Sequence, residues 1–212
     1  YGVSKDNVIM VKSGDLEAGE EDDLKYYSLM YEFCSQSDVT RKENYEKICE
    51  MIDIESYIDY YAIMIYIGRY GDWPWLNYGL WRTKKIENGS YGDGRWRWVI
   101  WDLNSPGFSA DLDTIKYVME NDVMFKNMMT NDTFRTELIF KIEELADTVF
   151  EAQKMDEILM EYQNFMEEPM KKHDKRFLGD DSLVIFNEEV EKIRIFFEER
   201  KGYLAPMLEN YR

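Results

Sequence analysis

The sequence predicts an α+β fold, predominantly α-helical, carrying one small antiparallel β-hairpin. Three observations lead there. Phe134, Leu138, Ile142, Leu145 and Val149 recur at spacings of four and three, as do Leu183, Phe186, Val190, Ile193 and Phe197; this is the period of a helix with one buried face. Residues 54–67 (IESYIDYYAIMIYI) are apolar nearly all round, which predicts a helix inside the core. Two strand-like segments, residues 78–83 and 95–101, flank the run IENGSYGDG. Its Asn88-Gly89 pair is a strong hairpin-turn signal.

Taken in order, residues 7–12 (NVIMVK) read as a short strand. The acidic run GDLEAGEEDD over residues 14–23 reads as a solvated loop. It lacks the fixed D-x-D-x-D-G order of an EF-hand, so a calcium loop is not favoured. Helical patterns follow over residues 24–35 and 41–51. Asp53 is placed to N-cap the apolar helix, and Gly68 and Gly71 end it. Asp72 therefore falls just past a buried helix, a rigid position from which to present a side chain. In the second strand Trp96, Trp98 and Ile100 share one face, while Arg95, Arg97 and Val99 share the other. Residues 155–177 read as one kinked helix or two shorter ones, because of Pro169. Neither an internal repeat nor a linker-like stretch is visible, so residues 1–212 read as one domain.

A hydrophobic content of 45% and an aromatic content of 16% supply a sizeable core. The net charge of −17 argues against nucleic acid and against anionic membrane surfaces. A nucleotide is still acceptable if a cation offsets the field. No charge-free apolar run approaches the length of a membrane span, so this segment is not expected to insert. The first residue, Tyr1, reads as the start of a processed or excised chain. Cys34 and Cys49 lack metal spacing and read as buried thiols, a disulfide between them being the alternative. The single histidine, His173 in KKHDKR, reads as a solvated helix position. It leaves almost no material for a zinc site or a Ser-His triad.

The chemistry-bearing stretch runs from Asp72 to Asn104 and holds all six tryptophans: Trp73, Trp75, Trp81, Trp96, Trp98 and Trp101. Asp72 and Asn77 stand in the spacing D-x-x-x-x-N, and Asp102 follows the hairpin. Phosphoryl transfer needs one carboxylate to hold a hydroxyl proton and oxygen ligands for a divalent metal. The same spacing marks the kinase catalytic loop and the metal-binding Asp downstream. Each residue also has a purely structural alternative: Asp72 capping a turn, Asn77 serving backbone groups at a strand start, Asp102 as a surface loop residue. The tryptophans fit core packing around the hairpin better than a sugar-stacking platform.

The runs IDIESYIDYYAIMIYIGRYGDWPWLNYGLWR and GRWRWVIWDLN carry a further signal. Asp72-Trp73-Pro74 and Asn77, then Tyr78, Leu80 and Arg82, then Trp101-Asp102, follow the loop and two strands of one family, and VKSGDL resembles its upstream strand. In these positions the chain resembles the CotH-like family of spore-coat and secreted protein kinases. The resemblance implies an atypical kinase fold, with this chain as the C-terminal lobe without the nucleotide-gripping first lobe. It implies Asp72 as the catalytic acid/base residue, Asn77 and Asp102 as ligands of Mg²⁺ or Mn²⁺, and ATP as phosphoryl donor. It further implies Ser or Thr of a coat or extracytoplasmic protein as substrate, and a spore-coat or secreted location. Two positions depart from the pattern: Tyr70 stands where the family has Asn, and Asn104 where it has a second Asp. No G-x-G-x-x-G is present and no strand-borne lysine is assigned to phosphates. The chain alone is therefore expected to bind ATP weakly or not at all, with the nucleotide-gripping residues outside it. Two rival functions remain at this stage: a non-catalytic coat or surface scaffold, and a carbohydrate-binding or glycoside-cleaving domain using Asp72 and Asp102.

Overall fold

The apolar helix expected over residues 54–67 is the centre of the molecule. In the computed structural model, which describes residues 1–103, 109–180 and 182–212, it spans Ile54–Tyr66 (α3). The Asp53 carboxylate caps it by accepting a hydrogen bond from the Ser56 N–H at 3.3 Å. Tyr57, Ala62, Met64, Ile65 and Tyr66 on successive faces are all fully buried. Of its tyrosine hydroxyls, that of Tyr60 accepts from Trp73 Nε1 at 3.0 Å, and that of Tyr61 donates to Asp122 at 2.5 Å. Before α3 come α1 (Leu24–Gln36) and α2 (Lys42–Met51), close to the expected bounds.

The expected hairpin forms from β3 (Gly79–Thr83) and β4 (Arg97–Val99). It belongs to a larger sheet. The predicted N-terminal strand is β1 (Val8–Lys12), and Asp15–Ala18 forms β2, in the order β2-β1-β3-β4 with antiparallel pairing throughout. The reading of residues 14–23 as loop is corrected here. Ser13 and Gly14, at φ +51° and +88°, make the tight turn that folds Asp15–Ala18 back on β1. Asp15 and Glu17 point to solvent while Leu16 and Ala18 are half-buried, so the acidic residues decorate a strand face.

The second strand is shorter than residues 95–101. Its expected first half pairs elsewhere: Trp96 N–H donates to Met51 O at 3.0 Å, and Asp53 N–H donates to Trp96 O at 2.9 Å. Ile100 consequently falls outside the strand and is exposed, not aligned with Trp96 and Trp98 in the core. Arg97 is buried, held by Asp53 at 2.9 Å and Asp93 at 2.8 Å. Burial alone would raise the Asp93 pKa, but the Arg97 and Arg95 guanidinium groups and the Arg95 N–H hold it well below the usual carboxylate range.

The remainder is helical: α4 (Thr114–Asn121), α5 (Val123–Met128), α6 (Asp132–Asp147), α7 (Ala152–Phe177) and α8 (Val184–Glu209). Helix α6 packs along α3 and supplies Phe134, Leu138 and Ile142 to the core. Pro169 lies inside α7, which continues past it as one helix. The α7–α8 pair is tied by Arg194 to Asp156 at 2.6 Å. His173 is exposed on α7, as expected, beside Asp174. Both cysteines are free thiols. Among the described residues no helix is long and apolar enough to cross a membrane.

Arg200 of α8 is fully buried and ends the chain of anchors beneath α3. It donates to Tyr66 O (Nε, 2.8 Å), Ile65 O (Nη2, 2.7 Å), Ala110 O (Nη1, 2.7 Å) and Leu112 O (Nη1, 2.8 Å). These include carbonyls at the end of α3 that have no partner within the helix. Burial lowers the Arg200 pKa to about 10, so it remains a cation at neutral pH.

Candidate functional site

Helix α3 ends in a sharp turn. Gly68 takes φ +67°, a conformation that a side-chain-bearing residue adopts at a cost. Arg69 then turns inward, 1% exposed, and its Nη2 lies 2.8 Å from Asp72 Oδ1 and 2.9 Å from Oδ2. Asn77 Nδ2 donates to the same Oδ2 at 2.6 Å. The backbone closes the loop again, since Leu76 N–H donates to Asp72 O at 2.8 Å. Tyr117 of α4 clamps it from outside: its hydroxyl accepts from Gly71 N–H and donates to Trp73 O, both at 3.0 Å. Asp72 is thus pinned on both sides by one phenol, and the predicted pair Asp72 and Asn77 is in direct contact.

The details of this contact bear on chemistry. The hydrogen on Arg69 Nη2 points at Oδ2, so Oδ2 takes both donors. Asp72 Oδ1, though within ion-pair distance of Arg69, accepts no hydrogen bond among the described residues. It is an unused acceptor closed off from solvent, while the Asp72 side chain as a whole is 36% exposed. Asn77 uses its amide nitrogen on Asp72, and no hydrogen bond reaches its Oδ1 among the described residues. An amide so held can offer its oxygen to a cation while its nitrogen orients the base.

The third predicted residue, Asp102, does not touch Asp72 or Asn77. The sheet register sets where it stands. Lys12 pairs with Gly79, and Gly79 pairs with Val99. Asn77 precedes Gly79 and Asp102 follows Val99, so both lie at the same end of the sheet. Asp102 adopts a left-handed backbone (φ +52°), is exposed, and makes no ion pair among the described residues. Asn104, the second departure from the family pattern, lies outside the described residues. Among those described, no cluster of three His, Cys, Asp or Glu is placed to hold a metal. One amide oxygen and one carboxylate at one sheet end still suit a hard divalent cation that keeps several waters.

Most tryptophans pack the core. Trp73 and Trp96 are fully buried, Trp81 is 8% exposed, and Trp75 alone is strongly exposed at 44%. An open row of aromatic platforms, which the carbohydrate reading requires, is not formed by these six side chains. Tyr70 is exposed at the loop's entrance and packs edge-on against Tyr117.

Arg69 and Tyr117 were not singled out from sequence. Arg69 sits beside the motif and has the charge complementary to Asp72, a weak local signal. Tyr117 has none, because its contacts span more than forty residues of chain.

The CotH kinase protein family matches residues 5–204 of this chain. A comparison with curated proteins finds no match.

Proposed function

Because the chain belongs to the CotH kinase protein family, we propose that it provides the phosphotransfer site of a metal-dependent, ATP-using protein kinase acting on Ser or Thr of a coat or other extracytoplasmic protein. The observation that carries this reading is the Asp72–Asn77 contact at 2.6 Å on a loop held by Arg69 and Tyr117. The Asp72 carboxylate, its side chain 36% exposed, orients the incoming hydroxyl and receives its proton as the oxygen attacks the γ-phosphorus and the bond to the ADP oxygen breaks. Asn77 Oδ1 and the Asp102 carboxylate are the residues that would hold Mg²⁺ or Mn²⁺, which neutralises phosphate charge when bound. Arg69, buried, fixes the Asp72 carboxylate plane so that little reorganisation remains at the moment of transfer. The residues form one domain, with the sheet end and the α3 loop meeting at the site.

The scaffold alternative has one observation in its favour: Tyr70 occupies the entrance where the family carries Asn. The deciding experiment is transfer of labelled γ-phosphate from ATP to a Ser/Thr-containing protein in the presence of Mg²⁺ or Mn²⁺. Transfer by the wild type that falls at least a hundredfold in Asp102→Ala supports the kinase reading; that drop is on the order of one lost charge-stabilising group. Wild-type protein with no transfer favours the scaffold, and undiminished transfer by Asp102→Ala removes Asp102 from the metal site.

A further inference from the structure

The chain carries 43 acidic against 26 basic residues, yet one lysine beside the candidate site has no carboxylate partner among the described residues. Lys12 is half-buried at the last position of β1 and makes no ion pair among the described residues. Its ammonium instead sits 3.8 Å from the ring centroid of Trp101, the residue immediately before Asp102. A ring face holds a cation through its quadrupole without neutralising it. The next residue, Ser13, reaches the other loop: its hydroxyl donates to Leu76 O, and its N–H donates to Tyr78 O at 3.0 Å. Lys12 and Ser13 therefore join the two segments that carry Asn77 and Asp102.

The register explains how Lys12 gets there. Lys12, Gly79 and Val99 face one another across three strands and share one side of the sheet. The middle position has no side chain, so the ammonium extends toward Trp101 over a bare backbone. Val11 and Leu80, on the opposite side, are buried in the core; on the Lys12 side Trp81 and Arg97 are buried too, while Lys12 and Val99, at the end of the sheet, are half-buried. Lys12 is thus a cation without an ion pair among the described residues, at the sheet end that carries Asn77 and Asp102.

We propose that Lys12 is the phosphate-positioning residue of this site, its ammonium taking the polyphosphate of the nucleotide whose terminal phosphoryl group is presented to Asp72. This inference rests on the phosphotransfer reading and deepens it. It also alters the expectation from sequence, which placed every nucleotide contact outside the chain. No strand-borne lysine was assignable there, because the orientation of Lys12 depends on a pairing with Gly79 across 67 positions of sequence. A compact ammonium acts on phosphate as a point charge, so position matters more than a fork geometry.

The test is calorimetric titration of wild type, Lys12→Met and Lys12→Arg with Mg²⁺-ATP and, separately, with inorganic tripolyphosphate. Physiological ionic strength screens the chain's net charge of −17. Expected is saturable binding of both ligands by the wild type, weakened roughly tenfold or more in Lys12→Met and largely restored in Lys12→Arg. The melting temperature of Lys12→Met should fall by only roughly 2–4 °C, the loss of one cation–π contact. Equal binding by wild type and a folded Lys12→Met overturns the role of Lys12 and leaves the Asp72 reading intact. Absence of binding to the wild type overturns both.

Discussion

Replacing Arg200 with methionine lowers the stability of the protein by roughly 3–5 kcal/mol, the range for leaving buried polar partners unpaired. The side chain is fully buried and its guanidinium serves four backbone carbonyls: Ile65, Tyr66, Ala110 and Leu112. Methionine fills a similar volume but donates nothing, so Tyr66 O and Ala110 O lose the Arg200 donor, while Ile65 O and Leu112 O keep the Gly68 and Thr114 N–H groups. For a chain of this length such a loss lowers the melting temperature by about 10 °C. Arg200→Lys should lie between, because an ammonium reaches fewer of the carbonyls than a planar fork. Urea denaturation followed by circular dichroism measures both variants. A loss below about 1 kcal/mol in Arg200→Met would show that these carbonyls are satisfied otherwise. The same contact matters for chemistry, since Ile65 and Tyr66 end the helix from which the Arg69–Asn77 loop departs.

The second large effect is on turnover. Asp72→Asn should reduce phosphoryl transfer by roughly 10²–10⁴, the contribution of a positioned general base. The binding of Mg²⁺-ATP should change little, because Asp72 is engaged by Arg69 and Asn77 and not assigned to nucleotide or metal. Asparagine keeps the shape but presents a donor where Arg69 and Asn77 both already donate, so near-ultraviolet circular dichroism must accompany the kinetics. A drop in kcat with a preserved KM for ATP is the signature of a group acting in the chemical step. A parallel rise in KM would instead assign Asp72 to binding, and unchanged turnover would return it to the turn-capping role open from sequence alone.

Much of this architecture was legible in the sequence where the determinants are local. The Asp53 cap, the apolar α3 and its end at Gly68 each act within about one or two turns of chain, and the structure places them as read; it also brings Asp72 and Asn77 of the D-x-x-x-x-N spacing into contact. Strand β2 was missed because its acidic residues mask an alternation that only the pairing with β1 makes meaningful. The length of β4 was overestimated because Trp96 has a competing partner in the Met51–Asp53 segment, invisible without tertiary contacts. The burial of Arg97 was not readable, because it depends on two carboxylates, Asp53 and Asp93, brought to it from other segments. At the site, the Asp72–Asn77 pair was readable, while the clamps Arg69 and Tyr117 and the cation Lys12 emerge only from the folded chain.

Asn77 and Asp102 are proposed to hold one divalent metal beside Asp72. The most direct measurement is the anomalous scattering of Mn²⁺ in crystals grown with a non-hydrolysable ATP analogue. The account predicts a Mn²⁺ peak about 2.1–2.2 Å from both Asn77 Oδ1 and an Asp102 carboxylate oxygen, the distance expected for a small octahedral cation. Asn77 Nδ2 should remain on Asp72. A peak ligated by other side chains, or ordered nucleotide with Asn77 and Asp102 both free of metal, would contradict it.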